Sequence, residues 1–415
     1  MVNKCHEDQL HNRTNRLTEE QRPFNPKNKE LTEEDVVNIF SKLGLKVSFK
    51  LDMKTLQTAF VHSSYQCRMN DDEEKANMYC PNGTMRLRKE SYEKLEWLGD
   101  SVLEYVSRVH CYLNSSKETY NELILQKIGL VNGKFCAEMS DFLGLGNLAA
   151  VSIQHEEKYP NRSGLGLRKD LFESLIGAIW MLSSGEDRRV EDVERFILSV
   201  FEKTGNSLGE MRRSAVQNSI EDEDVLKLLM TEKGDKSKEK LLFLGETVFS
   251  FSTSLYIYRR YSTRVGEDYL SNMRVKMTNA SFCEKLLVYT GLEGPCKETF
   301  GEKGASAWKL VLGKIWILKD FDLNFVYEYI KKVLETHGNI QQLGKSFTNP
   351  KEELARVFKT KFSNDGVIYE TTPDEFDRFT SIVKSRTYGV VHGKGKGTTR
   401  KTSEYSAAID ALETL

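Results

Sequence analysis

The chain has 415 residues, 39% hydrophobic and 29% charged, a globular composition whose length suits about two or three domains. With 60 Lys+Arg against 61 Asp+Glu the net charge is -1, so any nucleic-acid surface has to be local rather than global. The seven cysteines are scattered and form no Cys-x-x-Cys pair. That pattern indicates neither a disulfide framework nor a structural zinc site, and predicts reduced, buried thiols. No apolar run approaches the length of a membrane span. The N-terminus carries acids without the apolar core of a signal peptide or the charge bias of a transit peptide, so the expected location is nucleus or cytoplasm.

Residues 1–33 are polar and aperiodic, and read as a disordered tail. From Leu31-Thr32-Glu33-Glu34 a helical pattern begins, with Thr32 as cap and Val36, Val37, Ile39, Phe40 and Leu43 apolar. Val61-His62-Ser63-Ser64-Tyr65 follows, its His62 read as structural. Residues 66–89 read as a long polar surface loop. Tyr92 to Leu103 is helical in period and stacks Glu93, Glu96 and Asp100 along one face. Two more helices are expected from Asn121 to Leu130 and from Asn132 to Leu145. A further one, around Lys169 to Trp180, puts Asp170 and Glu173 on one face and Leu171, Leu175, Ile179 and Trp180 toward the core.

Beyond about residue 205 the chain repeats itself. Lys240 to Phe249 echoes Lys94 to Leu103, with Gly245 standing 146 residues after Gly99. Met273 to Asn279 echoes Gln126 to Asn132, and Ala307 to Trp316 echoes the segment around Gly177, with Gly313 136 residues later. Matches in the same order at nearly constant offset predict a duplicated helical domain.

From about residue 345 the texture changes. Asn349 to Phe358 reads as a short helix with a proline near its start. Gly366 to Glu370, Phe376 to Lys384 and Arg386 to His392 have strand character, Gly393 to Gly397 reads as a turn, and Thr402 to Leu415 as a helix. Lys384, Arg386, Lys394, Lys396, Arg400 and Lys401 fall in a stretch without acids, a basic patch that the total charge conceals.

Glu96 and Asp100 on one helix, with Asp170 and Glu173 on another, can converge if the helices pack. Hard oxygen ligands of this kind suit Mg2+, with Mn2+ as a substitute. Paired metals about 4 Å apart can clamp the attacking and leaving oxygens of a phosphodiester displacement. The competing reading is two amphipathic helices whose acids face water. Against it, the repeat replaces Glu96, Asp100, Asp170 and Glu173 by Leu242, Glu246, Ser306 and Lys309. Three acids lost together behave as a unit.

Glu93-Lys94-Leu95-Glu96-Trp97-Leu98-Gly99-Asp100-Ser101-Val102-Leu103 resembles the signature of the ribonuclease III family. His62-Ser63-Ser64-Tyr65 and Asp170-Leu171-Phe172-Glu173 resemble its flanking motifs, and Gly395 to Glu404 is similar to the end of a double-stranded-RNA-binding domain. The resemblance implies a mostly α chain of four parts. A tail (1–33) precedes an active ribonuclease III domain (34–205) and a degenerate one (206–340). A small α-β-β-β-α double-stranded-RNA-binding domain (341–415) ends it, a layout like the C-terminal part of Drosha and similar to that of Dicer. It further implies a Mg2+-dependent endoribonuclease on double-stranded RNA, with Glu96, Asp100, Asp170 and Glu173 as catalytic metal ligands. Metal-activated water would leave 5′-phosphate and 3′-hydroxyl ends. Lys394, Lys396, Arg400 and Lys401, together with Glu352 and Glu353, would contact RNA by shape. The two nuclease domains would pair within the chain, or the first would pair between two chains. Pro373-Asp374-Glu375-Phe376 departs from the family's Gly-Pro-x-His loop. The rival reading is a non-catalytic RNA-binding or assembly protein on the same scaffold.

Overall fold

The computed structural model describes residues 23–67, 73–114, 119–183, 186–203, 238–263, 265–337, 366–373, 379–397 and 399–414, with Lys351, Leu354, Ala355 and Phe358. It divides into two compact units, residues 1–338 and 339–415.

The first unit is helical. Helix α1 (Glu33–Lys42) starts at Thr32, whose hydroxyl accepts from the Asp35 amide while Asp35 reaches back to the Thr32 amide, a reciprocal cap that fixes where the helix begins. Short helices α2 (Met53–Thr58) and α3 (Glu73–Ala76) follow, then α4 (Glu93–Asn114), α5 (Tyr120–Val131) and α6 (Gly133–Leu143). After α7 (Ile153–Lys158), α8 (Leu165–Leu182) runs through the core and α9 (Glu186–Lys203) covers it. The second group comprises α10 (Lys238–Tyr261), α11 (Glu267–Thr278), α12 (Ala280–Tyr289), α13 (Glu293–Phe300), α14 (Gly304–Leu318) and α15 (Leu323–His337).

Glycines set the closest helix crossings. A Cβ on Gly99 of α4 would stand 1.8 Å from the Glu173 carbonyl oxygen of α8, and one on Gly177 would stand 2.0 Å from the Leu95 carbonyl oxygen. The same arrangement joins α10 to α14: a Cβ on Gly245 would stand 1.6 Å from the Lys309 carbonyl oxygen and one on Gly313 would stand 2.2 Å from the Leu241 carbonyl oxygen. In each pair the backbones touch where any other residue would hold them apart.

Where α4 meets α10, Tyr105 stacks on Phe251 with ring centroids 4.6 Å apart, and Phe251 lies 146 residues after Tyr105. Flanking contacts are also reciprocal: Trp180 against Phe251 at 5.2 Å and Trp316 against Tyr105 at 5.9 Å. A surface on which a residue meets its own counterpart is the mark of two-fold pairing.

In the second unit the strands β1 (Val367–Pro373), β2 (Phe379–Ser385) and β3 (Val391–Gly397) form an antiparallel sheet in that order. Helix α16 (Arg400–Thr414) covers it. Leu354, Phe358, Val383, Ala407, Ala408 and Ala411 make the core.

Four expectations change. The tail ends before residue 33: Phe24 is 1% exposed, and the Asn28 side chain donates to the Val151 carbonyl and accepts from the Val151 amide and Arg162. A polar segment docks here because one amide is saturated, a signal that composition does not carry. The 66–89 loop is partly structural, with Cys67 and Leu87 in a cluster with Phe24, Val61, Tyr65 and Ala150. The Gly393 to Gly397 turn is strand β3. Its glycines alternate toward α16, where Cβ atoms on Gly393 and Gly395 would meet Ala407 backbone at 2.4 and 2.1 Å, so the period of two comes from packing. Finally, α10 is long and apolar enough to cross a bilayer by composition, yet 83% of its apolar window is buried inside the unit. None of the six described cysteines forms a disulfide.

Candidate metal centre

The α4–α8 crossing brings the acids together. Carboxylate oxygens of Glu96, Asp170 and Glu173 lie within 4.8 Å of one another. Glu173 sits at the Gly99 contact itself and Glu96 about one turn before Gly99, so the close crossing brings their carboxylates together. Asp100, one turn beyond Glu96, stands outside this tight group. It is 46% exposed and its Oδ2 lies 3.5 Å from Arg274 Nη1 on α11.

Burial pushes the carboxyls of Glu96 and Asp170 above their ordinary range. It pushes Glu173, 1% exposed, up to about 9, with the Asp100 charge adding to the rise. Carboxyls crowded in this way favour a shared cation. The donor set is all oxygen, it sits partly open to solvent on the Asp100 side, and it suits a hard divalent cation.

Three neighbours escaped the sequence reading. Lys169 Nζ reaches Glu173 Oε2 at 2.7 Å, Glu96 Oε1 at 3.4 Å and Asp170 Oδ1 at 3.6 Å. The spacing of four between Lys169 and Glu173 was a readable signal for that pair. Tyr92 donates its hydroxyl to Asp170 Oδ2 at 3.2 Å, fixed at the head of α4 by its amide bonding the Val61 carbonyl. Arg274 arrives from the other helix group, 174 residues away from Asp100 in sequence, and no local pattern announces it. His62 packs edge-on to Tyr92 at 5.7 Å and caps its own turn, its Nδ1 accepting from the Ser64 amide.

At the equivalent place in the second group, Glu246 is met by Lys309 Nζ at 3.1 Å, the Tyr120 hydroxyl at 2.8 Å and Arg108 Nη2 at 3.7 Å. Burial raises its pKa, but Lys309, Tyr120 and Arg108 outweigh it and hold the carboxyl below its ordinary range. Among the described residues the acid triad on α4 and α8 is the one group with metal-ligand convergence.

In the second unit, Lys394 and Lys396 are exposed on the β3 face opposite its glycines, and Arg400 and Lys401 are exposed at the first turn of α16. Arg400 Nε also donates to Glu404 at 3.2 Å. Glu352 and Glu353 lie outside the described residues.

Residues 93–184 match the ribonuclease III domain family. The chain is 29% identical over 216 residues to a probable ribonuclease 3 of Acanthamoeba polyphaga mimivirus, covering 49% of this chain and 39% of that one. It is 31% identical over 154 residues to ribonuclease 3 of Chloroflexus aggregans, covering 37% and 58%. It is 32% identical over 166 residues to that of Leptospira interrogans, covering 39% and 57%. The chain thus spans between 39% and 58% of the length of these relatives. A solved structure of Dicer from Pichia stipitis aligns over 50% of this chain and 99% of its own, at 18% identity and a TM-score of 0.24.

Proposed function

We propose that this chain is a Mg2+-dependent endoribonuclease acting on double-stranded RNA. The observation that carries this reading is the convergence of Glu96, Asp170 and Glu173 across the glycine crossing, inside the segment that matches the ribonuclease III domain. In this reading residues 34–205 form the active domain, residues 206–340 a degenerate copy paired with it, and residues 341–415 a double-stranded-RNA-binding domain. Glu96, Asp100, Asp170 and Glu173 would hold the ion, Mn2+ serving as a substitute. Bound there, a divalent cation supplies an activated water at neutral pH and neutralises charge on the scissile phosphate. The chain's part is to orient: Tyr92 fixes the Asp170 carboxylate, and Gly99 and Gly177 hold the two jaws at one spacing. Products would carry 5′-phosphate and 3′-hydroxyl ends.

The degenerate copy carries Lys309 and Ser306 where ligands belong, and its Glu246 is internally neutralised. Its role is to complete the paired platform on which a duplex lies. Lys394, Lys396, Arg400 and Lys401 would grip phosphates of A-form RNA, and Glu352 and Glu353 are minor-groove candidates. With one live centre per chain, each binding event nicks one strand.

A second reading, a non-catalytic RNA-binding protein, is favoured by the Lys169 ammonium among the acids. A long RNA duplex labelled at both ends separates the two. Wild type should cleave it with Mg2+, nicking one strand. Asp170→Asn and Glu173→Gln should lose at least about ten- to a hundredfold in rate, the range typical of disturbing even outer-shell partners, with RNA binding nearly unchanged. Absence of Mg2+-dependent cleavage by wild type would leave the non-catalytic reading standing.

A further inference from the structure

We infer that Lys169 supplies, from the chain itself, one of the two cations that this acid cluster accommodates, so that the centre takes up a single divalent ion. The inference rests on reading the acids as a metal centre, and concerns how many ions that centre holds.

Lys169 Nζ lies 2.7 Å from Glu173, 3.4 Å from Glu96 and 3.6 Å from Asp170, at the point where the three carboxylates converge. Mg2+ binds oxygens at about 2.0–2.1 Å and keeps several waters. It cannot share that point with an ammonium. One of the two has to lie elsewhere.

The geometry favours a lysine that stays. Glu173 is 1% exposed, and a carboxylate withdrawn from water is strongly destabilising once its partner leaves. The pairing is local, four residues apart on α8, so holding it requires no distant segment to be ordered. The open side of the cluster is where the more exposed carboxylates lie, Asp100 above all, then Asp170 and Glu96. A hydrated ion needs that access.

The degenerate copy shows the same solution carried further, with Lys309 at the position of Glu173 pairing the remaining acid, Glu246, at 3.1 Å. In a displacement that uses two positive centres, the ammonium would stabilise charge on phosphate oxygens, and water activation would fall to the single ion.

The test counts ions on the full chain without RNA, by electron paramagnetic resonance of free Mn2+ during titration. Wild type should bind one Mn2+ at this centre and Lys169→Met two, while Lys169→Arg, which keeps the charge, should bind one. The order of the initial cleavage rate in Mg2+ should rise from one to two in Lys169→Met. Two ions in wild type, or one in Lys169→Met, overturn the inference. No Mn2+ bound by any of these proteins would instead remove the metal-centre reading on which it stands. Should Lys169→Met fail to fold, Lys169→Gln carries the same expectation.

Discussion

Arg274, on α11, places Nη1 3.5 Å from Asp100 Oδ2 and its guanidinium 5.2 Å from the centre of the Trp97 ring. Arg108 does the reverse, lying 5.2 Å from the Phe243 ring and 3.7 Å from Glu246. Each helix group thus lends a guanidinium to the aromatic residue of the other and to the acid three positions further on. The two arginines come from different helices, α11 and α4, so the reciprocity is one of place and not of sequence. It ties the acid centre of one group to the packing of the other.

Removing the Arg274 charge should tighten divalent-ion binding. Both side chains are half-buried but reach solvent, and screening holds the pair's direct contribution to stability to about 0–1 kcal/mol. Its field acts on an ion held close by, where Coulomb energies remain of the order of kcal/mol. Arg274→Ala is expected to lower the Mn2+ midpoint about three- to tenfold at low salt, the effect shrinking as salt rises. Titrations at two ionic strengths measure it, and an unchanged midpoint would show that the guanidinium serves packing alone.

The glycine crossing should tolerate no side chain. In Gly99→Ala the new methyl would sit 1.8 Å from the Glu173 carbonyl oxygen, and backbone cannot swing aside as a flexible side chain can. Overpacking of cores costs about 1–3 kcal/mol and more where backbone must move, so a loss of about 3 kcal/mol or more is expected. Gly129→Ala, with nothing within 4 Å of its Cβ position, is the control and should be near neutral or stabilising. Chemical denaturation of both variants checks the contrast.

Acid should destabilise the fold through two histidines. Burial pushes His62 and His110 down to about 4, against an unfolded value near 6.5. Between those values the unfolded chain binds protons that the folded chain does not. The stabilisation these two histidines contribute is therefore complete above about pH 6.5 and is lost as pH drops toward 4. His110→Leu should flatten that limb in denaturation curves taken across this range. An equal slope in wild type and variant would show that His110 takes up its proton without unfolding.

Much of the architecture could be read from residue order. The cap at Thr32, the stacked acids at Glu96 and Asp100, and the offset between Gly99 and Gly245 are local or periodic signals, visible because a helix repeats every few residues. The reading failed where long-range packing decides. Asn28 docks through bonds to Val151 and Arg162, more than a hundred residues away. Gly393, Gly395 and Gly397 look like turn residues until the helix lying on them is known.

The sequence by itself determined which acids could act together, since helical spacing fixes which side chains share a face. It also showed that the echoing segments keep one of the four acids, Glu246, and carry Leu242, Ser306 and Lys309 in place of the others. Tertiary structure alone decided that Glu96, Asp170 and Glu173 converge around an ammonium while Asp100 turns to an arginine of the other helix group. Which charge neutralises which depends on distances of a few ångströms between segments far apart in the chain, and those are set by how closely two glycine-faced helices can cross.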